Sequence, residues 1–168
     1  MPEITLTRNE LGEYTAHNER GGSITVGSGG TEDFGPVELL LVALAGCSGV
    51  DVDYITSKRA EPTEFLATAS GTKVKDENGN HLTDVVVTFD VRFPEGEAGD
   101  KARAMLPKAI TMSHERLCTV SRTIALGTPV EMRAAECRRH GRPRRTGGPA
   151  PIARCGPFAV RLAISGWS

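Results

Sequence analysis

The fold is decided by one apolar stretch in the first third of the chain, which runs from Phe34 to Ser48 and reads FGPVELLLVALAGCS. Proline is favoured at the first position of a helix, and the residues that follow Pro36 leave almost no polar face. A helix that is apolar all round is a buried helix. We therefore predict one long helix from Val37 to about Arg59, buried in its first half and ended by Pro62.

Short strands are predicted on both sides of this helix. Three come before it and are separated by glycine-containing turns: Ile4–Arg8, Glu13–Asn18 and Ser23–Val26. Two come after it, Phe65–Lys75 and Thr83–Phe93, and the Asn78-Gly79 pair between them is a strong hairpin signal. In the second of these strands the apolar residues alternate with polar ones, as expected for a strand with one buried face.

The rest of the chain up to residue 134 completes the order β-β-β-α-β-β-α-α-β. A second helix is predicted through roughly Gly99–His114, with a kink or a break expected at Pro107. A short helix from Leu117 to about Leu126 and a final strand, Thr128–Arg133, follow. Strands grouped around helices in this way indicate an α+β fold.

Composition and charge limit the classes of function. A chain of 168 residues with 39% hydrophobic and 24% charged residues is typical of one soluble globular domain. Its net charge of −1 divides into −7 for residues 1–134 and +6 for residues 135–168. An acidic body does not suit nucleic acid, so no nucleic-acid partner is expected. No secretory signal is visible and the apolar run Leu39–Cys47 is too short to span a membrane, so we expect a cytoplasmic protein without a membrane partner.

Residues 135–168 differ from the residues before them. They hold seven Arg, five Gly and four Pro, with no sustained period. That composition predicts a tail that is disordered or non-native, in which Phe158–Ile164 is the one candidate strand. The folded domain is accordingly predicted to span residues 1–134.

Cys47 and Cys118 are the candidate catalytic residues. Cysteines in a reducing compartment are more often redox-active, catalytic or metal-binding than structural. Cys47 is either a small buried hydrophobe or a nucleophile to which the flanking Gly46 and Gly49 allow close approach. Cys118 is either a helix-capping residue without chemistry or a thiolate, which a helix N-terminus would favour.

His114 and the tail cysteines leave two further alternatives. His114, four residues before Cys118, is either a general base or a solvated residue at a helix end. A zinc site could combine His114 and Cys118 with Cys137 and His140 of the tail. The spacing of these residues matches no standard zinc finger or ribbon. We therefore expect no metal and no other cofactor.

Two segments resemble those of a known family. Phe34–Ser48 is similar to the central helix of OsmC-type proteins, and Ser113–Ser121, which reads SHERLCTVS, resembles their second cysteine segment. The two cysteines lie 71 residues apart, and the resemblance to the OsmC/Ohr family covers about residues 2–134, nearest to the small OsmC-like branch. It implies an OsmC-like fold in which antiparallel sheets wrap two long central helices of an intertwined homodimer.

The resemblance also implies a thiol-dependent peroxidase that reduces organic hydroperoxides, and possibly hydrogen peroxide, in oxidative stress defence. Cys47 would be the peroxidatic cysteine and Cys118 the resolving one, with an external dithiol as reductant. Arg20 would hold Cys47 as a thiolate and Glu38 would orient Arg20. Their alternatives are a solvated turn residue and a carboxylate that favours the helix N-terminus.

Two points bear on these implied roles. Nine residues on a straight helix separate Glu38 from Cys47 by about 13.5 Å and half a revolution, so the two side chains cannot meet on one helix. Glu38 would have to act through Arg20 or from the partner chain.

The alternative to catalysis is a non-catalytic binding module with the OsmC fold, which takes a small apolar or electrophilic ligand.

Overall fold

The computed structural model describes residues 1–136 and 156–157, which belong to two compact units, Met1–Gly127 and Thr128–Ser168. The first unit contains nine elements in chain order: β1 (Ile4–Glu10), β2 (Glu13–Asn18), β3 (Ser23–Val26), α1 (Pro36–Thr56), β4 (Glu64–Asp76), β5 (Gly79–Arg92), α2 (Glu97–Met112), a π-turn (Ser113–Leu117) and α3 (Thr119–Ala125). Both of its sheets are antiparallel, so the prediction of a mixed α+β fold is confirmed.

Helix α1 begins where the sequence predicts and ends three residues earlier. Pro36 occupies its first turn, and the amide of Gly35 donates to Glu38 Oε2 at 2.7 Å, which closes a cap on the N-terminus. At the other end the Thr56 hydroxyl donates back to the Val52 carbonyl at 2.9 Å. The chain then leaves the helix in a turn in which the amide of Arg59 donates to the Thr56 carbonyl.

Within a single chain α1 is covered on one side only. Its buried residues are Leu44, Ser48, Gly49, Val52 and Thr56. On the opposite side, Val42, Val50 and Tyr54 are 49%, 55% and 73% exposed. The predicted burial of the first half of α1 is therefore wrong for one copy of the chain, because four of the five buried residues lie in the second half of the helix. By length and hydropathy α1 would also pass as a membrane span, a test that the core helices of soluble proteins pass as well.

Strands β4 and β5 form the long hairpin that α1 packs against. Their apolar pairs are in register, with Ala67 opposite Phe89, and the rings of Phe65 and Phe89 meet edge to face at 6.0 Å between centroids. A Cβ atom on Gly49 of α1 would lie 3.7 Å from Phe65 Cε1, an ordinary van der Waals contact, so the helix lies directly against the sheet at this point. The predicted hairpin is confirmed, although its two-residue loop lies one position earlier and Gly79 opens β5 with a φ of +124°.

Strands β1, β2 and β3 form an antiparallel meander with one apolar face. Leu6, Ala16 and Ile24 stand opposite one another across the three strands, and Ile4 extends the same face. Ile4, Leu6 and Ile24 are each more than half exposed. The predicted strands are confirmed, and their apolar face is left open by the chain itself.

Helix α2 packs on α1 through small buried residues, Ala102 and Ala109. The helix continues through Pro107, so no break occurs there. After Met112 the helical hydrogen bonding widens into the π-turn, in which the Cys118 amide donates to the Ser113 carbonyl at 2.9 Å. Helix α3 follows directly, two residues later than its predicted start.

The second unit is described at residues 128–136 and 156–157. Ala135–Glu136 (β6) pairs antiparallel with Gly156–Pro157 (β7). The predicted strand Thr128–Arg133 is wrong, because alternation alone does not make a strand and no partner strand pairs with these residues in the described part of the unit. The predicted Phe158–Ile164 strand and the predicted disorder of the tail fall almost wholly outside the described residues.

Candidate active site

The two predicted cysteines, Cys47 and Cys118, come from different elements and are brought together. Cys47 lies in the middle of α1 and is half-buried, whereas Cys118 lies between the π-turn and α3 and is fully buried. Both thiols are free. Their side chains are within hydrogen-bonding reach, so each sulfur changes the pKa of the other. A pair of thiols in such contact titrates as one unit that can share a proton.

The π-turn explains how Cys118 reaches this position. A π-turn adds one residue to a helical turn and is frequent at functional sites. Cys118 leaves it with extended backbone angles, φ −65° and ψ 102°, and becomes the N-cap of α3. Its Sγ accepts a hydrogen bond from the Ser121 amide at 3.3 Å, as a capping oxygen would. The sulfur thereby points back toward α1.

Hydrogen-bond donors surround the Cys118 sulfur. The Ser48 hydroxyl, one residue after Cys47, donates to it at 3.4 Å. Burial of the Cys118 thiol opposes its ionisation, but the donors outweigh burial and lower the pKa of Cys118. After Ser48 and Ser121, the donors are the Cys47 thiol and the Val120 amide. A buried sulfur with this set of donors is stabilised as a thiolate.

The pKa of Cys47 shifts in the opposite direction. Burial raises the pKa of Cys47, and the adjacent Cys118 sulfur raises it further, although the amides of Val120 and Thr119 partly compensate. Within one chain Cys118 is therefore the thiol of the pair that ionises first, and Cys47 gives up its proton less readily. The resemblance implied a thiolate on Cys47, whereas the local sequence offered a thiolate at Cys118 as one alternative, and the directions of the two pKa shifts agree with the latter.

A buried polar contact ties the two cysteine-bearing segments together. Ser113, which opens the π-turn and is almost fully buried, donates its hydroxyl proton to Asp51 Oδ2 at 2.9 Å. Asp51 lies one helical turn after Cys47 on α1. The contact fixes the π-turn against α1, and with it the position of Cys118.

An apolar cavity of about 380 Å³ lies beside the pair. Its apolar wall comes from α1, β5, α2 and α3: Leu44, Val85, Val86, Val87, Phe89, Ile110, Ile124 and Ala125. Its polar lining consists of Ser48, Ser113, His114 and Ser121. Ser48 and Ser121 both contact Cys118 Sγ, so the cavity reaches to within one layer of atoms of that sulfur.

The other two predicted site residues lie apart from the cysteines. Arg20 is exposed in the turn between β2 and β3, where its amide donates to Asn18 Oδ1 at 2.9 Å. The Glu38 carboxylate is engaged with the Gly35 amide. Among the described residues, neither side chain forms a hydrogen bond or an ion pair with the cysteine pair. A role for Arg20 or Glu38 at the cysteines would therefore require a second chain.

His114 is exposed in the π-turn, and its Nδ1 lies 3.1 Å from Ser121 Oγ. Sequence reasoning missed Ser48 and Ser121, although both lie inside the two cysteine segments, because only the fold shows that they face the same sulfur. In the described ranges no group of three or more His, Cys, Asp or Glu is arranged to hold a metal ion. Cys137 and His140, the other members of the zinc alternative, lie outside the described residues.

Comparison with known proteins gives one family and one fold. Residues 28–133 match the OsmC-like protein family. An uncharacterized protein of Mycobacterium tuberculosis is 25% identical over 138 residues, which are 81% of this chain and 98% of that protein. An OsmC-like protein of unknown function from Vibrio cholerae has a TM-score of 0.61 at 17% identity, over 73% of this chain and 92% of its own.

Two further solved structures show the same fold. An OsmC-like protein from Mycoplasma pneumoniae has a TM-score of 0.59 at 21% identity, over 74% of this chain and 87% of its own. An organic hydroperoxide resistance protein from Legionella pneumophila has a TM-score of 0.51 at 14% identity, over 74% of this chain and 88% of its own. At these identities the likeness is one of architecture.

Proposed function

This chain belongs to the OsmC-like protein family, and from that premise we propose that it is a thiol-dependent peroxidase that reduces organic hydroperoxides in defence against oxidative stress. The observation that carries the proposal is the meeting of Cys47 and Cys118, in which hydrogen bonds from Ser48 and Ser121 reach the Cys118 sulfur and favour its ionised form. A thiolate is the reactive form of cysteine toward peroxides. The apolar cavity beside the pair suits the organic part of a hydroperoxide.

The difference in exposure divides the roles between the two cysteines. Cys118 is fully buried, so an incoming peroxide reaches the half-buried Cys47 first. The Cys118 thiolate takes the proton of Cys47 and leaves a thiolate at the accessible position. Cys47 is then the peroxidatic cysteine, and Cys118 is its base before it becomes the resolving cysteine.

The reaction then follows the chemistry of cysteine peroxidases. The Cys47 sulfur attacks the terminal oxygen of the hydroperoxide, an S–O bond forms, the O–O bond breaks, and the alcohol leaves after it gains a proton. Cys118 attacks the resulting sulfenic acid, which forms a disulfide and releases water. An external dithiol reduces the disulfide and restores both thiols.

A homodimer is part of the proposal, because two apolar surfaces of the chain lack a cover. One is the outer stripe of α1 (Val42, Gly46, Val50, Tyr54), and the other is the apolar face of the meander. Exposed apolar surface of this extent marks an interface. A second copy would cover the stripe helix against helix, whereas a membrane suits neither a sheet face nor the Asp53 carboxylate beside the stripe.

The same dimer would bring to the cysteines the Arg20 and Glu38 side chains, which lie apart from them within one chain. Arg20 and Glu38 would act at the site of the partner subunit. The dimer is tested by Val50→Glu, which places a charge in the outer stripe and is expected to give a monomer in sedimentation analysis. Lys58→Glu, at an exposed position just beyond the helix, is the control and should leave the mass unchanged. A monomeric parent protein would refute the dimer.

A second candidate function rests on the cavity alone. An apolar pocket of about 380 Å³ with a few polar groups is also the form of a binding site for a small apolar ligand. In that case the protein would bind such a ligand without consuming peroxide. Catalysis is favoured because the donors around Cys118 stabilise a charge that a binding pocket for apolar molecules would not need.

Peroxide consumption by the reduced protein distinguishes the two functions. The parent is the full chain with Cys137 and Cys155 replaced by Ser, so that only the pair can react. It should consume cumene hydroperoxide catalytically with dithiothreitol. Cys47→Ser should abolish turnover, whereas Cys118→Ser should give one turnover and a sulfenic acid that dimedone traps. A parent that binds cumene hydroperoxide but does not consume it, or full activity of Cys47→Ser, would refute the peroxidase.

A further inference from the structure

We infer that the Ser121–His114 pair is the general acid that protonates the departing alcohol when the peroxide bond breaks, an inference that rests on the proposed peroxidase function. The step needs an acid, because breaking the O–O bond of an alkyl hydroperoxide leaves an alkoxide, a strongly basic group. The cavity that would receive the organic part is lined mainly by apolar side chains. Cys118, which carries the proton taken from Cys47, is not among the residues that line this cavity, so we assign the proton to one of the cavity's few polar groups.

All four polar side chains that line the cavity belong to contacts already described, and in two of those contacts a serine hydroxyl already donates its proton. The Ser48 hydroxyl donates to Cys118 Sγ, and the Ser113 hydroxyl donates to Asp51 Oδ2. Each of these two protons is already engaged with an acceptor outside the cavity. Among the described residues of the cavity lining, this leaves Ser121 and its neighbour His114 as the proton source.

The geometry of this pair suits a proton relay. Ser121 Oγ and His114 Nδ1 are 3.1 Å apart, which is a hydrogen bond of ordinary length. When the imidazole is protonated, Nδ1–H donates to Ser121 Oγ, and the hydroxyl proton is free to point into the cavity. The imidazole ring is exposed on its other side, so it can recover a proton from solvent after each turnover.

The position of Ser121 also couples the acid to the sulfur pair. Its backbone amide donates to Cys118 Sγ at 3.3 Å, and Ser121 also lines the cavity, so one residue adjoins both the resolving sulfur and the space for the organic group. The electron pairs and protons of the peroxide step are all accounted for. The Cys47 thiolate supplies the electron pair of the new S–O bond, the O–O pair leaves on the alkoxide, Ser121 gives that oxygen a proton, and His114 returns a proton to Ser121.

Two substitutions separate proton donation from positioning. In His114→Asn the amide nitrogen can occupy the place of Nδ1 and keep the hydrogen bond to Ser121, but it cannot supply a proton. Ser121→Ala removes the hydroxyl and keeps the backbone donor to Cys118. His17→Asn, an exposed histidine on β2, is the matched control. All are made in the full chain with Cys137 and Cys155 replaced by Ser.

The readout is the rate of sulfenic acid formation with two substrates of similar bulk. Cumene hydroperoxide leaves as a basic alkoxide, whereas peroxybenzoic acid leaves as a carboxylate that needs no proton. We expect both active-site variants to react about 10²-fold more slowly with cumene hydroperoxide and within about twofold of the parent with peroxybenzoic acid, since general acid catalysis acts on basic leaving groups. The control should match the parent with both substrates.

Equal slowing with the two substrates would overturn the inference, because it would show a structural role. Unchanged rates with both would overturn it as well. In either case an active parent leaves the peroxidase proposal standing. A parent that reacts with neither substrate would refute the peroxidase itself, and the general acid would fall with it.

Discussion

Removal of the Ser48 hydroxyl should raise the pKa of Cys118. In Ser48→Ala the sulfur loses the donor that lies 3.4 Å away, while the Ser121 and Val120 amides and the Cys47 thiol remain. A hydrogen bond to a charged group contributes about 1.5–3 kcal/mol. Since one pKa unit corresponds to about 1.36 kcal/mol, the loss predicts a rise of roughly one to two units. The long contact and the remaining donors favour the lower end of that range.

The thiolate is measured directly, because it absorbs in the ultraviolet and the thiol does not. The parent carries Ser at positions 137 and 155, so the titration reports on the pair alone. Ser57→Ala is the matched control, since that hydroxyl lies just beyond the same helix and donates to Asp53 Oδ1 at 2.9 Å, away from the sulfurs. Its titration should overlay that of the parent. An unchanged or lowered midpoint in Ser48→Ala would refute the stabilised Cys118 thiolate.

Three further predictions concern the pair and its supports. Because the pKa of Cys118 is lowered, peroxide consumption should fall with acid at a lower pH than an ordinary thiol would impose; a fall at or above the pH at which an ordinary thiol titrates would contradict this in a pH–rate profile. Ser113→Ala removes the buried donor to the carboxylate on α1 and should cost about 1–3 kcal/mol of unfolding free energy in urea, and an unchanged midpoint would argue against that contact. Gly99→Ala would place a Cβ atom 1.8 Å from the carbonyl oxygen of Pro94, so we expect a loss of about 1–3 kcal/mol or more, whereas Gly30→Ala, in open space, should be neutral in the same assay.

The local elements were predictable because they follow from local patterns. The apolar run after Pro36 predicted α1, and alternation between residues 83 and 93 predicted the second strand of the hairpin. The strand predicted at Thr128–Arg133 failed because a strand depends on a partner that no local pattern reveals. The π-turn at Ser113–Leu117 was not predictable either, since hydrogen bonding one residue wider than in an α-helix leaves no signature in periodicity.

The site was predictable only in part. The resemblance pointed to Cys47 and Cys118, and the fold brings them together. The opposite pKa shifts of the two thiols depend on Ser121, which is a local cap of Cys118, and on Ser48, whose approach to the Cys118 sulfur is a long-range contact. The implied parts of Arg20 and Glu38 stay predictions, because in one chain Arg20 lies exposed in a turn and the Glu38 carboxylate caps its own helix.

The turn between Ser113 and Leu117 contains one more residue than an α-helical turn, so the position of Cys118 depends on the length of that segment. Deleting any one of its residues would restore an ordinary α-helical turn and rotate everything downstream by about 100°. Cys118 would then face away from α1 although every functional side chain was still present. When relatives are aligned, a gap in this stretch should count as the loss of the sulfur pair, and designers who shorten or regularise the helix should expect a well-folded but inert protein.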